Sequence, residues 1–198
     1  VGEYDAARAG PPRSFLLDGD LYAFSGSWSP LMDHLPNASW RLPLLLDVIE
    51  EPDAAVLRER LHDMDDPLNV AGLVPVAEKV VIAATGQPWW VAGKLLMWAR
   101  DHWAELDGVM TMRGLDMAAL IDREPGRACN VVYAHLVDGA TKKDRDQFEH
   151  SLRQPPVSAD PESAAAMDEW FAADEGAAFT AAMGQAFTAG AVRRPPGV

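Results

Sequence analysis

The chain of 198 residues contains a single cysteine, Cys129, so no disulfide can form within it. Cys129 lies among apolar residues in a helical pattern, and it reads as a buried, inert thiol of a reducing compartment. Positive charge is scarce: 17 Lys and Arg stand against 30 Asp and Glu, giving a net charge of −13 and a pI of about 4.6. Such a chain repels phosphate backbones, and no basic patch with interleaved aromatics offsets the repulsion, which argues against a nucleic-acid partner. Runs of eighteen or more apolar residues are missing, so no membrane span is expected. The first residues, VGEYDAARAGPPR, show no basic stretch followed by an apolar one, and no secretory signal is expected from them.

The motifs of catalysis are missing as well. There is no GxSxG, no GxxxxGK[ST] and no GxGxxG after a strand. His34, His62, His102, His135 and His150 are scattered without HxxxH or HExxH spacing, so no metal site is expected. Asp63, Asp65 and Asp66 begin like a calcium loop but lack its turn glycine and terminal glutamate; they read as a helix cap. Cys129 and His135 sit six residues apart on one helical pattern and would not face each other. Glu50-Glu51 reads as a solvated helix end. The expectation is a protein that is not an enzyme, with no catalytic, cofactor-binding or metal-binding residue.

What the chain has is apolar surface in helical register. With 48% hydrophobic residues it can bury a core of ordinary domain size. Residues 87–103, QPWWVAGKLLMWARDHW, hold four of the seven tryptophans and are followed by the turn signal Asp107-Gly108. Trp89, Ala92, Leu96, Ala99 and Trp103 recur at spacings of three and four, and Val91, Leu95 and Trp98 form a second stripe. The spacing predicts a helix buried on more than one side. Trp89, Trp98 and Trp103 are expected in the core. Trp90 must point about 100° away from Trp89, which makes it the candidate for an edge or interface where its N–H stays wet.

Other elements follow the same reading. Ser14–Leu17 and Leu21–Phe24 flank Asp18-Gly19-Asp20 and predict a short β-hairpin, with Phe15, Leu17, Tyr22 and Phe24 as its contacts. Residues 25–37 read as loop, and Pro43 marks the start of a helix in the run after Trp40. Asp53–His62 predicts a short amphipathic helix. Asp65-Asp66-Pro67 reads as the start of the next, which runs to about Thr85 with Pro75 implying a kink or two helices in series. A loop through Gly108 and Gly114 is expected, with a short helix at Asp116–Ile121. Pro125–Val137 is the cleanest periodic segment, closed by Asp138-Gly139. Thr141 to Asp144 forms a capping box for a charged helix reaching about Arg153.

Gln154-Pro155-Pro156-Val157 is the sharpest compositional boundary. Beyond it, between Arg153 and Arg193, lie six acidic residues and no basic one. The expected organisation is a flexible tail at 1–12, a helical domain with an N-terminal hairpin at 13–154, and an acidic Ala-rich appendage at 155–198. The fold class is mainly α: a compact helical domain with a short N-terminal β-hairpin and a C-terminal helical appendage. Trp170, Phe171, Phe179, Met183 and Phe187 in the appendage join Trp90 as candidate partner-binding residues.

Leu61-x-x-x-Asp65-Asp66-Pro67-Leu68, then Ala84-Thr85-Gly86-Gln87-Pro88-Trp89-Trp90, then Leu106-Asp107-Gly108 and Asn130-Val131-Val132-Tyr133-Ala134 occur in that order. Over roughly residues 15–156 this resembles the tail assembly chaperones of long-tailed phages infecting actinobacteria. The resemblance implies a mostly helical protein of the host cytoplasm. It would bind the tape-measure protein, keep that protein's helices soluble and help recruit tail-tube subunits. It places no catalytic residue on this sequence. The competing expectation is a permanent structural component of a phage or phage-like particle, at the head–tail junction or on the capsid and therefore in the virion. Either reading predicts protein partners, with self-association an open third contact and no membrane.

Overall fold

The computed structural model describes residues 10–155, which separate into a unit ending at Val132 and a second beginning at Tyr133. The described residues are mainly helical, with one antiparallel hairpin near the N-terminal end. Strands β1 (Ser14–Leu17) and β2 (Asp20–Ala23) pair Phe15 with Tyr22 and Leu16 with Leu21. The turn residues Asp18 and Gly19 both have positive φ, 53° and 94°, as a two-residue hairpin that follows the strand twist requires. Phe15, Tyr22, Phe24 and Trp28 form a chain of rings with centroids 5.0–5.4 Å apart. Ala23 and Phe24 extend the pairing to the segment at Val48–Glu50, which fastens the hairpin to the helices.

Seven helices and the first turns of an eighth build the first unit among the described residues: α1 (Pro30–His34), α2 (Arg41–Val48), α3 (Glu51–His62), α4 (Val70–Thr85), α5 (Trp89–Asp101), α6 (Trp103–Met112), α7 (Met117–Arg123) and α8 (Pro125–Val137). Helix α2 packs on α1, α3 and α4, while α5 packs on α1, α4 and α6. Leu31, Leu44, Leu45, Val48, Leu57, Val81, Leu96 and Leu106 lie in that core with essentially no exposure. The 25–29 segment is pinned to α7, where the Trp28 N–H donates to the Asp122 carbonyl at 2.9 Å and Ser27 Oγ to the Asp122 carboxylate at 2.5 Å.

Several local expectations are corrected. The stretch 25–37 is not all loop: Pro30 opens the short α1, and Leu31 is fully buried. Asp107-Gly108 does not turn the chain, because Leu106 and Met110, one turn apart, are both buried and hold α6 together through Gly108. The tryptophan-rich helix ends at Asp101. His102 leaves helical geometry (φ −116°, ψ 26°) while its ring stacks on Trp98 at 4.6 Å, and Trp103 opens α6 only part-buried. Helix α4 starts at Val70, not at Pro67, since Asn69 accepts from the Gly72 N–H as its cap. It continues through Pro75 as one helix; the interruption comes at Gly86, in the left-handed region at φ 69°.

Asp66, which does not cap α4, is engaged by Arg60 instead. The Arg60 guanidinium lies 2.8 Å from Asp66, 2.9 Å from Asp18 and 3.8 Å from Asp20, and also donates to the Tyr22 hydroxyl at 3.2 Å. One cation thus ties the hairpin turn to the end of α3. The hydrogen bond from Arg60, with another from the Leu68 N–H, holds the Asp66 carboxyl below its ordinary range.

In the second unit, Gly139 (φ 75°) follows the end of α8 and Thr141 Oγ1 accepts from the Asp144 N–H to cap α9 (Lys142–Arg153). Tyr133 stacks on Phe148 with centroids 6.1 Å apart and donates to Glu149 at 2.5 Å, while Leu152 is buried. Burial first and the Glu149 carboxylate second push the Tyr133 phenol up.

Two helical glycines give opposite predictions. A Cβ on Gly126 would lie 2.8 Å from the Thr85 carbonyl oxygen, a backbone atom that cannot swing aside, whereas one on Gly108 meets nothing within 4 Å. Gly126→Ala should therefore destabilise by about 1–3 kcal/mol through overpacking, and Gly108→Ala should stabilise by about 0.5–1 kcal/mol through helix propensity. Urea unfolding of both variants checks the sign. The Asp66 carboxyl gives a pH prediction. With its pKa lowered on folding, its contribution is complete above the unfolded value of about 3.9 and is lost as pH falls through the folded one. The gap in melting temperature between wild type and Asp66→Asn should narrow on acidification; a gap constant from neutral pH to below that value would refute the assignment.

Candidate interaction surface

The N-terminal end of α5 brings together residues from three helices. Pro88 occupies the cap position with extended geometry (φ −52°, ψ 142°), which sets Trp89 and Trp90 as the first two helical residues. Trp89 turns into the core against Trp40, with ring centroids 5.6 Å apart, and Trp90 meets Trp89 edge-on at 5.9 Å. The Arg41 guanidinium sits 5.0 Å from the centroids of both Trp40 and Trp89. Its Nε and Nη2 donate to one oxygen of Glu78 on α4 at 3.0 and 2.7 Å. Arg41 and Glu78 keep 23% and 29% of their side-chain surface, so the pair is neither fully screened nor fully buried.

Trp90 is part-exposed, as an interface candidate should be, but its N–H is not wet. The indole Nε1 of Trp90 is buried with no hydrogen-bond partner, and so is that of Trp40. A buried, unpaired N–H costs about 1–3 kcal/mol, which the tryptophan packing offsets. What this surface can offer a partner is a part-exposed tryptophan, next along the helix from the Trp89 that meets a half-buried ion pair, a combination suited to packing contacts.

Trp98 is fully buried and Trp89 nearly so, as expected of core residues, whereas Trp103 is only half-buried. Trp170, Phe171, Phe179, Met183 and Phe187 lie outside the described residues. The structure therefore places Trp90 alone of the six candidates, and it adds Trp40, Arg41 and Glu78 around it. Trp40 and Arg41 directly precede the apolar run 42–46, where adjacency of an aromatic and an arginine was the only signal for them. Cys129 is fully buried, and burial pushes its thiol up to about 12. Among the described residues no helix alone is long and apolar enough to cross a membrane; α4 and α5 reach that composition together but are bent by 64° at their junction.

Comparison with protein-family models, with curated proteins and with solved structures yields no match.

Arg41, which faces both rings at once, carries a prediction of its own. Arg41→Ala removes two ring contacts and a half-buried ion pair and should destabilise by about 1–2 kcal/mol. Arg41→Lys should recover less than half of that, because an ammonium lacks the planar fork that faces both indoles while donating twice to Glu78. Urea titrations followed by tryptophan fluorescence report both; equal stability of Arg41→Lys and wild type would show that charge alone matters here.

Proposed function

We propose that this chain is a tail assembly chaperone of a long-tailed actinobacteriophage. It acts in the host cytoplasm, binds the tape-measure protein, keeps it soluble and helps recruit tail-tube subunits. Its work is binding and release, without catalysis. The observation that carries the reading is the Pro88-Trp89-Trp90 helix start, where Trp90 is part-exposed; with the Asn130-Val131-Val132-Tyr133 segment it is one of the two most specific pieces of the motif order. A partner rich in apolar helical surface is the natural complement of such a tryptophan. The acidic balance of the chain, −13 overall, adds a repulsion that keeps a loaded complex from self-aggregating.

Co-expression with the tape-measure protein tests this. The tape-measure protein should be recovered soluble only when the chain is present, the two should co-purify, and the chain should be absent from finished particles. Trp90→Ala, assayed at a temperature where the variant is still fully folded, should reduce recovery of the complex by at least about five-fold, the loss of one modest hot spot. Stoichiometric retention of the chain in purified particles would instead establish the permanent structural component. Failure to bind or solubilise the tape-measure protein would sink the chaperone reading.

A further inference from the structure

We infer that the outer edge of β1 is a docking site for an extended, basic protein segment that adds to the hairpin as a third strand. The inference stands on the hairpin and the charges around its turn and does not depend on the chaperone reading. In an antiparallel pair, residues alternate between those that exchange hydrogen bonds with the partner strand and those whose N–H and C=O point away from it. The Phe24 N–H donates to the Arg13 carbonyl, so Arg13 and Phe24 are a bonded pair. Ser14–Ala23 and Leu16–Leu21, at odd steps from it, are therefore the outward-pointing pairs.

On the β2 side the outward groups of Ala23 are used. Its N–H donates to Asp53 Oδ2 at 2.6 Å, and its carbonyl accepts from the Glu50 N–H at 2.9 Å. On the β1 side, no hydrogen bond among the described residues reaches the backbone of Ser14 or Leu16. Among the described residues, two outward N–H groups and two outward carbonyls are thus left without partners at the sheet edge. Beside them, Leu16 and Leu21 form a cross-strand apolar pair on the outward face, 70% and 64% exposed. An open edge with exposed leucines is what folds ordinarily suppress and what strand-addition partners use, with backbone bonds supplying affinity and alternate side chains supplying selectivity.

Charge selects the occupant. Asp18 and Asp20 stand at the turn, and Arg60 draws Asp66 to the same place, with Asp63 and Asp65 on the segment that carries it. These five carboxylates have the one Arg60 guanidinium among them. Arg13 is at the far end of β1, roughly 13 Å along the strand. A segment with lysine or arginine at its turn-proximal end and apolar residues at alternate positions is complementary to this edge. A second copy of the chain, itself at −13, is not.

The test uses the full chain and a fluorescent heptapeptide of alternating lysine and valine, with glutamate replacing lysine in the control. Leu16→Pro and Ser14→Pro each remove an outward N–H without touching a bond of the hairpin or any charge. The lysine peptide should bind wild type and bind either folded proline variant at least about ten-fold more weakly, and the glutamate peptide should be weaker by a similar factor. In wild type, the Ser14 and Leu16 amides should gain protection from hydrogen exchange when peptide is added, a readout that needs no variant. Equal binding by a folded proline variant, no binding to wild type, or amides left unprotected would each overturn the site. Self-association of wild type abolished by Leu16→Pro would assign the edge to a second copy and overturn the basic segment as its occupant.

Discussion

Six consecutive residues of α5, Val91 to Leu96, are buried, and Trp98 and Ala99 follow them. A helix buried through nearly two full turns has no solvent face and must be enclosed. The arrangement of the first unit follows from enclosing it: α1, α4 and α6 each pack on α5, and α2 braces α1 and α4 from behind. Close approach needs small residues, and α5 supplies Ala92 and Gly93; a Cβ at Gly93 would already be 3.7 Å from the Leu35 carbonyl at the end of α1. Lys94 lies in the middle of this run with 4% exposure. The same enclosure explains the tight contact of Gly126 with Thr85, which brings the start of α8 onto the end of α4 where α5 begins.

Where local chemistry and burial agree, the elements were legible from the residues. Pro125–Val137 has one clean apolar stripe and a glycine stop, and its limits coincide with the helix observed. The hairpin was legible for the same reason: Asp18-Gly19 is flanked by residues that alternate inward and outward. Asp107-Gly108 carries the same dipeptide yet stays helical, since its flanking residues, Leu106 and Met110, have helical spacing and a core to enter. A turn dipeptide states what the backbone can do; the periodicity around it decides what it does. Asp66 is not the cap: it accepts from Arg60 and from the Leu68 N–H in the turn before the helix, and Asn69 takes the capping role. Nothing in the sequence joins Arg60 to the hairpin turn forty residues earlier, and that link is visible only once the chain has folded.

The interaction surface was legible in part. Trp90 follows from the helical angle alone, because two adjacent tryptophans cannot both enter one core. The state of its N–H does not follow, since that depends on atoms from elsewhere in the fold. Arg41 and Glu78 were invisible for a similar reason: each reads as an ordinary surface charge on its own helix. Only the packing of α2 on α4 brings them within 2.7 Å, beside the indole of Trp89. Long-range juxtaposition is the information that a periodicity argument discards.

The two proposed surfaces of the first unit would recognise by different physics. At Trp90 the contact would be an aromatic side chain fixed to a helix start, with affinity set by the shape of what fits against it. At β1 the contact would be backbone, which any extended segment can satisfy, so selectivity would have to come from elsewhere. The aspartates around Arg60 can supply it, because their field reaches about 8–10 Å at physiological ionic strength, far enough to bias which segments arrive. Arg60 neutralises only part of that charge while holding the turn and the end of α3 together. Full neutralisation would make the exposed leucines and open backbone a general aggregation edge. On the proposed reading, the residual negative charge would disfavour pairing of this edge with a second copy of an acidic chain.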